Sequence, residues 1–296
     1  MYGGLEMADT GVLGELHISG NWAQKRMILP VIMAALEMTS LASPAICPTL
    51  PYNKLKGTIP MLGNVPVASQ LEEFEVSQVG SATPGSYDVE LLKDRVTLAV
   101  SDEAMIESDV GSPMTLQQQQ AAGALAANLN VLIAEKLDTT PQQYGNGNLG
   151  NWASAKPTLA LGKMSAAMGI YRPTAFVMGT LAGEYYADTV GDKVAIQNLS
   201  EWRGAASIHP TLQIPVFMST DIDNLDASGN TQVFAVCNKV PGVINVVGQI
   251  KARQYDDPKL GAEVYQYDIW RTPFSNLRQT TSSTNLGVMW GYMTES

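Results

Sequence analysis

The chain has 296 residues, of which 45% are hydrophobic and 16% are charged, so an intrinsically disordered protein is excluded and a globular one is expected. Its formal net charge of −10 argues against a general nucleic-acid-binding surface, because contacts to phosphate need clustered Lys and Arg. Cys47 and Cys237 are its only cysteines, which excludes a disulfide scaffold and a metal site built from paired cysteines.

The N-terminal region begins with residues 1–26, which are rich in glycine and weakly patterned and predict an extended arm. They lack the basic and apolar stretches of a signal peptide, so we expect synthesis and assembly in a cytoplasm. Residues 27–38 predict a short apolar helix that Pro30 interrupts. Strands are expected at 57–62 and 87–100, where β-branched residues and alternation prevail.

The segment between these strands, residues 63–86, contains Glu72, Glu73 and Glu75 and no Lys or Arg. Its flanking strands can pair as a long hairpin, but a two-stranded arm is only marginally stable alone in water. Two interpretations remain open. The segment is either ordered on another subunit or a mobile acidic loop at the surface.

Residues 112–138 predict a long helix. Ser112 is a favourable N-cap, and Pro113 suits the first turn because its missing N–H would have no partner there. At 1.5 Å per residue the helix is a rod of roughly 40 Å. An apolar stripe follows the three- and four-residue steps of its second half, formed by Leu125, Leu129, Leu132, Ile133 and Leu137.

The surface of this helix is unusual, because residues 110–134 include no charged side chain. Its exposed face is left to alanines and to polar residues, namely the glutamines at 117–120, Asn128 and Asn130. These polar residues argue against a transmembrane segment, since they are costly to place in hydrocarbon. Two interpretations remain: a strut covered by other protein on several sides, and the core helix of an ordinary globular domain.

The rest of the chain predicts short helices followed by a strand-rich region. Residues 140–152 predict a polar loop, and the turn at 256–258 predicts a hairpin connection. Further helices are expected at 158–169 and 181–188, and strands at 174–178, 213–220, 231–240, 242–255, 261–272 and 286–293.

Several motifs that resemble chemical sites are discounted. Residues 145–150 spell the dinucleotide-binding pattern GNGNLG, but a helix precedes them where that site needs a strand. Residues 221–229 resemble a calcium loop whose ligand spacing is not met. Neither His17 nor His209 is expected to be catalytic, and the four acids within 102–109 are interpreted as helix-capping or interface groups. We therefore predict no catalytic, cofactor-binding or metal site.

Short motifs in a particular order carry a family resemblance: GTIP at 57–60, VSDEAMIES at 100–108, RPTAFVM at 172–178 and IPV at 214–216. The first resembles a strand that enters an extended loop, and the second a strand that leads into a long spine helix. The last two resemble strands of an axial domain. With the strand-rich C-terminal third, this order resembles the Hong Kong 97-like major capsid proteins of tailed bacteriophages, related archaeal viruses and encapsulin nanocompartments.

The resemblance implies an α+β fold with an N-terminal arm, an extended β-hairpin loop, a peripheral domain with the long spine helix, and an axial domain. An acidic container also suits DNA, because a wall of like charge does not trap the polyanion. The implied boundaries are 1–26 for the arm, 27–56 for the first part of the peripheral domain, 57–97 for the extended loop, 98–159 for the peripheral domain with its spine helix, 160–240 for the axial domain, and 241–296 for strands that complete both domains.

The implied function is that of a major capsid protein, which is not an enzyme and needs no cofactor. Its partner is itself, in hexamers and pentamers of an icosahedral shell that encloses double-stranded DNA without sequence-specific binding or contact with a membrane. Separate scaffolding, portal and decoration proteins are further candidate partners. The expected location is the virion, after assembly in the host cytoplasm.

The resemblance also suggests how neighbouring subunits bind one another. Glu72, Glu73 and Glu75 are expected to dock on basic residues of a neighbour, with each exposed ion pair contributing roughly 0 to 1 kcal/mol. The candidate basic residues are Lys251, Arg253, Arg271 and Arg278.

Two other hypotheses remain at this stage. One is the shell of an encapsulin-type compartment, although the first part of this chain does not resemble the N-terminal helix of that group. The other is an unrelated soluble α/β enzyme or binding protein. Enclosed nucleic acid would favour the viral shell, and a monomer with a ligand pocket would favour the enzyme.

Overall fold

The computed structural model describes residues 41–61, 85–101, 113–139, 143–151, 157–169, 171–190, 205–222, 230–239, 242–259, 261–275 and 287–294. The strands in these ranges are β1 (Thr49–Pro51), β2 (Lys56–Met61), β3 (Gly85–Glu90), β4 (Leu92–Ser101), β5 (Gln143–Asn151), β6 (Ala175–Gly179), β7 (Ala205–Ile208), β8 (Pro215–Ser219), β9 (Asn230–Val236), β10 (Val243–Asp257), β11 (Ala262–Ser275) and β12 (Val288–Thr294). The helices are α1 (Pro113–Asp138), α2 (Pro157–Ala167) and α3 (Thr180–Val190).

Six strands form one sheet in the order β5-β12-β9-β6-β8-β7. Side chains of β6 alternate between its two faces, as the period of a strand requires. Ala175 and Val177 pack in a core with the second half of α1, whereas Phe176 and Met178 pack in a core with α2 and α3. The sheet is therefore covered by helices on both faces, which explains why β6 is buried along its whole length.

A second sheet has four strands in the order β1-β10-β11-β4. Strands β10 and β11 form the hairpin expected at residues 256–258, with Asp257 opposite Ala262. Strand β4 then pairs antiparallel with β11, so that Ser101 lies opposite Ala262. The predicted hairpin connection is confirmed.

Helix α1 contacts both sheets. In its first half, Ala121, Ala122 and Leu125 are buried against the four-stranded sheet. In its second half, Ile133 and Leu137 are buried against the six-stranded sheet. The long helix and its apolar stripe are confirmed. Both sheets pack against this helix for part of their core.

One expectation for α1 is wrong. Asn130 is 9% exposed and does not belong to an exposed polar face. Its side-chain Oδ1 accepts a hydrogen bond from the backbone N–H of Leu41 at 3.2 Å. A buried amide needs such a partner, and the partner comes from a segment far away in sequence, so the pattern of the helix alone did not reveal it.

The predicted loop at 140–152 is also wrong, because it contains strand β5 at one edge of the six-stranded sheet. The strand pairs parallel with β12 through an irregular register. Gly145 and Gly147 have positive φ values of 52° and 86°, which only glycine adopts without cost, and the polar, glycine-rich sequence therefore disguised a strand.

The strands that flank the acidic segment pair as predicted. Lys56 lies opposite Glu90 and Met61 opposite Gly85, so β2 and β3 form an antiparallel hairpin. Val89 packs with Phe274 where this hairpin leaves the four-stranded sheet. The tip of the hairpin, with the expected acidic segment, lies outside the described residues.

The described helices have no span with the length and apolar character that crossing a bilayer would need. Cys47 and Cys237 are both buried free thiols. Burial raises the pKa of the Cys47 thiol above its ordinary value, and a hydrogen bond with the Asn245 backbone opposes this only in part.

Candidate assembly surface

The four-stranded sheet has one face against α1 and an opposite face that we call the outer face. Antiparallel partners share a face, so Lys251, Asp268 and Arg95 lie side by side there, on β10, β11 and β4. Two further cations lie nearby on the same face, Lys93 on β4 and Arg253 on β10. In a chain with a net charge of −10, this concentrates positive charge on one side of one sheet.

The central group of the outer face is the carboxylate of Asp268, whose side chain is fully buried. Arg95 reaches it with two nitrogens, Nε at 2.7 Å and Nη2 at 3.2 Å. Lys93 Nζ lies 2.9 Å from the same carboxylate, and Gln266 Nε2 donates to it at 2.8 Å. The acid therefore has charged or polar donors on both oxygens, as a buried carboxylate requires.

The donors change the acidity of Asp268. Burial alone would raise its pKa, but the hydrogen bonds from Arg95, Lys93 and Gln266 outweigh burial and lower the pKa from 3.8 to about 2. The ionised form is thus favoured in the folded chain.

Acid should weaken the fold through this group. Because the folded-state pKa of Asp268 lies below its unfolded value, its contribution to stability is complete above about pH 4 and is lost as the pH falls toward 2. We expect the free energy of unfolding of the wild type to exceed that of Asp268→Asn by up to about 2 kcal/mol at pH 7. Urea unfolding of both proteins between pH 7 and pH 3 should show this difference shrinking, and a difference that stays constant would contradict the assignment.

Two lysines of the outer face lie over the ring of Trp270. Lys93 Nζ lies 5.0 Å and Lys251 Nζ 5.4 Å from the centre of its ring, distances at which a cation is attracted to an aromatic face. Arg253 is exposed. The expected docking residues Lys251 and Arg253 are thus brought together on one surface.

Arg271 belongs elsewhere. It lies on the face toward α1, and its side chain is 5% exposed. Its Nε donates to Asp94 Oδ2 at 2.5 Å, and its Nη2 donates to the backbone carbonyl of Leu125 in α1 at 2.7 Å. The expectation that Arg271 docks on a neighbour is therefore wrong, because its donors are bound to Asp94 and Leu125 within the chain. Arg278 lies outside the described residues.

Of the two histidines discounted above, His209 lies within the described residues and His17 lies outside them. His209 is 2% exposed; its Nδ1 accepts hydrogen bonds from the backbone N–H groups of Thr211 and Leu212, and its Nε2 donates to the Thr158 carbonyl at 2.9 Å. Both ring nitrogens hold backbone in place, which is a structural use of the ring. Within the described ranges, no three His, Cys, Asp or Glu side chains are grouped to hold a metal.

Sequence patterns missed three members of this surface, Lys93, Arg95 and Asp268. The alternation of Lys93 and Arg95 along β4 indicates a shared face, but not which strand lies beside it. Asp268 carried the clearer signal, because an acid flanked by Tyr267, Ile269 and Trp270 needs a polar partner when it is buried.

Sequence comparison identifies no relatives. No family model matches the chain, and no curated protein is significantly similar to it. Structural comparison does give matches. A phage-related protein from Bordetella bronchiseptica is similar with a TM-score of 0.58 at 11% identity, over 88% of this chain and 95% of that one.

Two further structures are similar over nearly their whole length. A virus-like particle from Pyrococcus furiosus matches with a TM-score of 0.56 at 9% identity, over 92% of this chain and 100% of that one. The capsid of a native GTA particle matches with a TM-score of 0.56 at 11% identity, over 88% and 90% of the two chains. At these identities the likeness establishes the fold, and the chain has the Hong Kong 97-like capsid fold.

Proposed function

We propose that the chain is the major capsid protein of a tailed phage or related virus and assembles into an icosahedral shell around double-stranded DNA. The observation that carries the proposal is the extent of the structural likeness. It takes in most of this chain and 90 to 100% of the virus-like particle and GTA capsid chains. A shell subunit acts through contacts with its copies, so the proposal requires no catalytic or cofactor site.

In this proposal the domains keep the boundaries inferred from the sequence, with two refinements: the extended loop is shorter, and β5 with the start of α2 moves from the peripheral to the axial domain. Strand β4 begins at Leu92 and belongs to the four-stranded sheet, so the extended loop ends with β3 at Glu90. The six-stranded sheet with α2 and α3 forms the axial domain, and the four-stranded sheet with α1 forms the peripheral domain. Assembly takes place in the host cytoplasm, with separate scaffolding, portal and decoration proteins as further partners.

The subunits are proposed to bind one another by opposite charge. Glu72, Glu73 and Glu75 of one copy dock on the outer face of a neighbour, where Lys251 and Arg253 lie. Each exposed pair contributes only roughly 0 to 1 kcal/mol, so the strength of a shell comes from repetition and from buried apolar area.

Electron microscopy of the purified protein, with absorbance at 260 and 280 nm on the same fraction, tests the function. We expect closed icosahedral shells and a 260 nm excess that survives nuclease treatment. Shells that enclose protein and no nucleic acid would indicate an encapsulin-type compartment. A chain that stays monomeric and binds a small ligand would contradict a shell function.

Charge reversal tests the docking. The triple variant Glu72→Lys, Glu73→Lys and Glu75→Lys should remain folded but fail to form shells, because it faces a neighbour's cations with like charge. Circular dichroism checks folding, and light scattering with microscopy checks assembly.

A reciprocal variant provides the matched control. Adding Lys251→Glu and Arg253→Glu to the triple variant restores opposite charges across the contact, and should recover part of the assembly. Wild-type shells should also weaken as salt rises, since salt screens exposed charges. Normal shells from the triple variant would refute the docking role.

A further inference from the structure

Two cations of the outer face, Lys93 and Arg95, are both held by the buried carboxylate of Asp268. Their side chains are 32% and 45% exposed, while the carboxylate that binds them both is fully buried. Arg95 approaches Asp268 through two nitrogens, a geometry that fixes the plane of the guanidinium. Two flexible side chains are therefore restrained before any partner arrives.

Both cations keep donors for a second carboxylate. A guanidinium has five N–H donors and an ammonium has three, and the bonds to Asp268 use only some of them. Both side chains are partly exposed, and the carboxylate of Asp268 has partners on both oxygens. Side chains restrained in this way lose less conformational entropy when a partner binds.

We infer that Asp268 is a positioning residue that holds Lys93 and Arg95 ready to bind residues 62–84, the acidic segment between β2 and β3, of a second copy of this chain. This inference rests on the proposed docking between subunits and adds Lys93 and Arg95 to the docking set. Charge complementarity selects the occupant, because residues 57–92 include no Lys or Arg and the segment itself carries three glutamates within four positions. The segment also leaves the fold at the β2–β3 hairpin, beside the same sheet.

The inference makes a counter-intuitive prediction. Asp268→Asn removes a negative charge from the basic surface, so an effect of net charge alone would leave binding of an acidic peptide unchanged or tighten it. Loss of positioning would weaken it instead. We expect about five-fold weaker binding, which corresponds to the side-chain ordering that Asp268 otherwise supplies.

The experiment uses a labelled synthetic peptide of residues 62–84 and fluorescence anisotropy. The binding partner is the full chain that carries the Glu72, Glu73 and Glu75 reversals, which is expected to stay unassembled and leave its outer face open. The same chain with Asp268→Asn is compared with it, after circular dichroism has shown that both are folded. A peptide with Gln at 72, 73 and 75 is the matched control and should bind neither chain.

A second variant keeps the test decisive if Asp268→Asn fails to fold. Arg95→Lys preserves the charge at a half-exposed position but cannot hold the carboxylate by two nitrogens, so positioning predicts weaker peptide binding and charge alone predicts no change. Equal or tighter binding to the variants than to the parent chain would overturn the role of Asp268 and leave the docking intact. No binding to the parent chain would overturn the docking itself, and the positioning role with it.

Discussion

We expect Arg271→Ala to lower the free energy of unfolding by about 3 to 5 kcal/mol, the cost typical of breaking a buried ion pair from one side. The variant would leave Asp94, whose side chain is 18% exposed, without its cation. It would also remove the bond to the Leu125 carbonyl, which joins the sheet to α1. Burial lowers the pKa of Arg271 and Asp94 opposes this, but a guanidinium stays protonated in either case.

Two further variants distinguish this explanation from a general loss of packing. Arg271→Lys keeps a charge but cannot reach both acceptors as the guanidinium does, so we expect a smaller loss of about 1 to 2 kcal/mol. Asp94→Ala combined with Arg271→Ala should cost less than the sum of the single variants, since the double variant has no unpaired charge. Guanidinium chloride unfolding measures all of them, and a loss below about 1 kcal/mol for Arg271→Ala would contradict the assignment.

Gly242→Ala should cost about 3 kcal/mol, near the upper end for inserting a methyl group into a packed site. Gly242 lies just before β10, where the chain passes the start of β12. An added β-carbon would lie 2.7 Å from the carbonyl carbon of Gly287 and 2.8 Å from the backbone nitrogen of Val288. Backbone atoms cannot rotate away as a side chain can, so the two segments would have to separate.

Gly261→Ala is the matched control for Gly242→Ala. Gly261 has a positive φ of 54°, but no atom lies within 4 Å of an added β-carbon. Gly261→Ala should therefore lower the free energy of unfolding by only roughly 1 to 2 kcal/mol, the cost of placing a β-carbon on left-handed backbone. Thermal unfolding compares the two variants, and equal losses would show that the close approach at Gly242 is not what limits the site.

The parts of the fold predicted from sequence are those with local signals. The spacing of apolar residues in α1 and the turn at Asp257 are both patterns of a few neighbouring residues, and such patterns predict a helix or a turn directly. Strand β5 did not, because its glycines and asparagines are typical of a loop and its pairing with β12 brings together distant parts of the chain. Asn130 was misplaced for the same reason, since its partner Leu41 lies 89 positions away.

The charges of the proposed docking surface show the same limit of sequence-based prediction. From the sequence alone, Lys251, Arg253 and Arg271 are equally good candidates for docking, because all three are cations on two successive strands. Only the register shows that Arg271 faces α1 while Lys251 faces outward, because a shift of one residue moves a side chain to the other face. The same register places Asp268 between Lys251 and Arg95 on the outer face, although Asp268 is buried and is not a cation.

The contact of α1 with both sheets has a mechanical consequence. Ala121 and Leu125 of its first half lie against the four-stranded sheet, and Ile133 of its second half lies against the six-stranded sheet. A force that pulls on the outer face therefore reaches the other sheet by two routes, along the axis of α1 and through Val243 of β10, which packs in one core with Val288 of β12. In the proposed shell, a subunit that is pulled by its neighbours should therefore tilt as one piece.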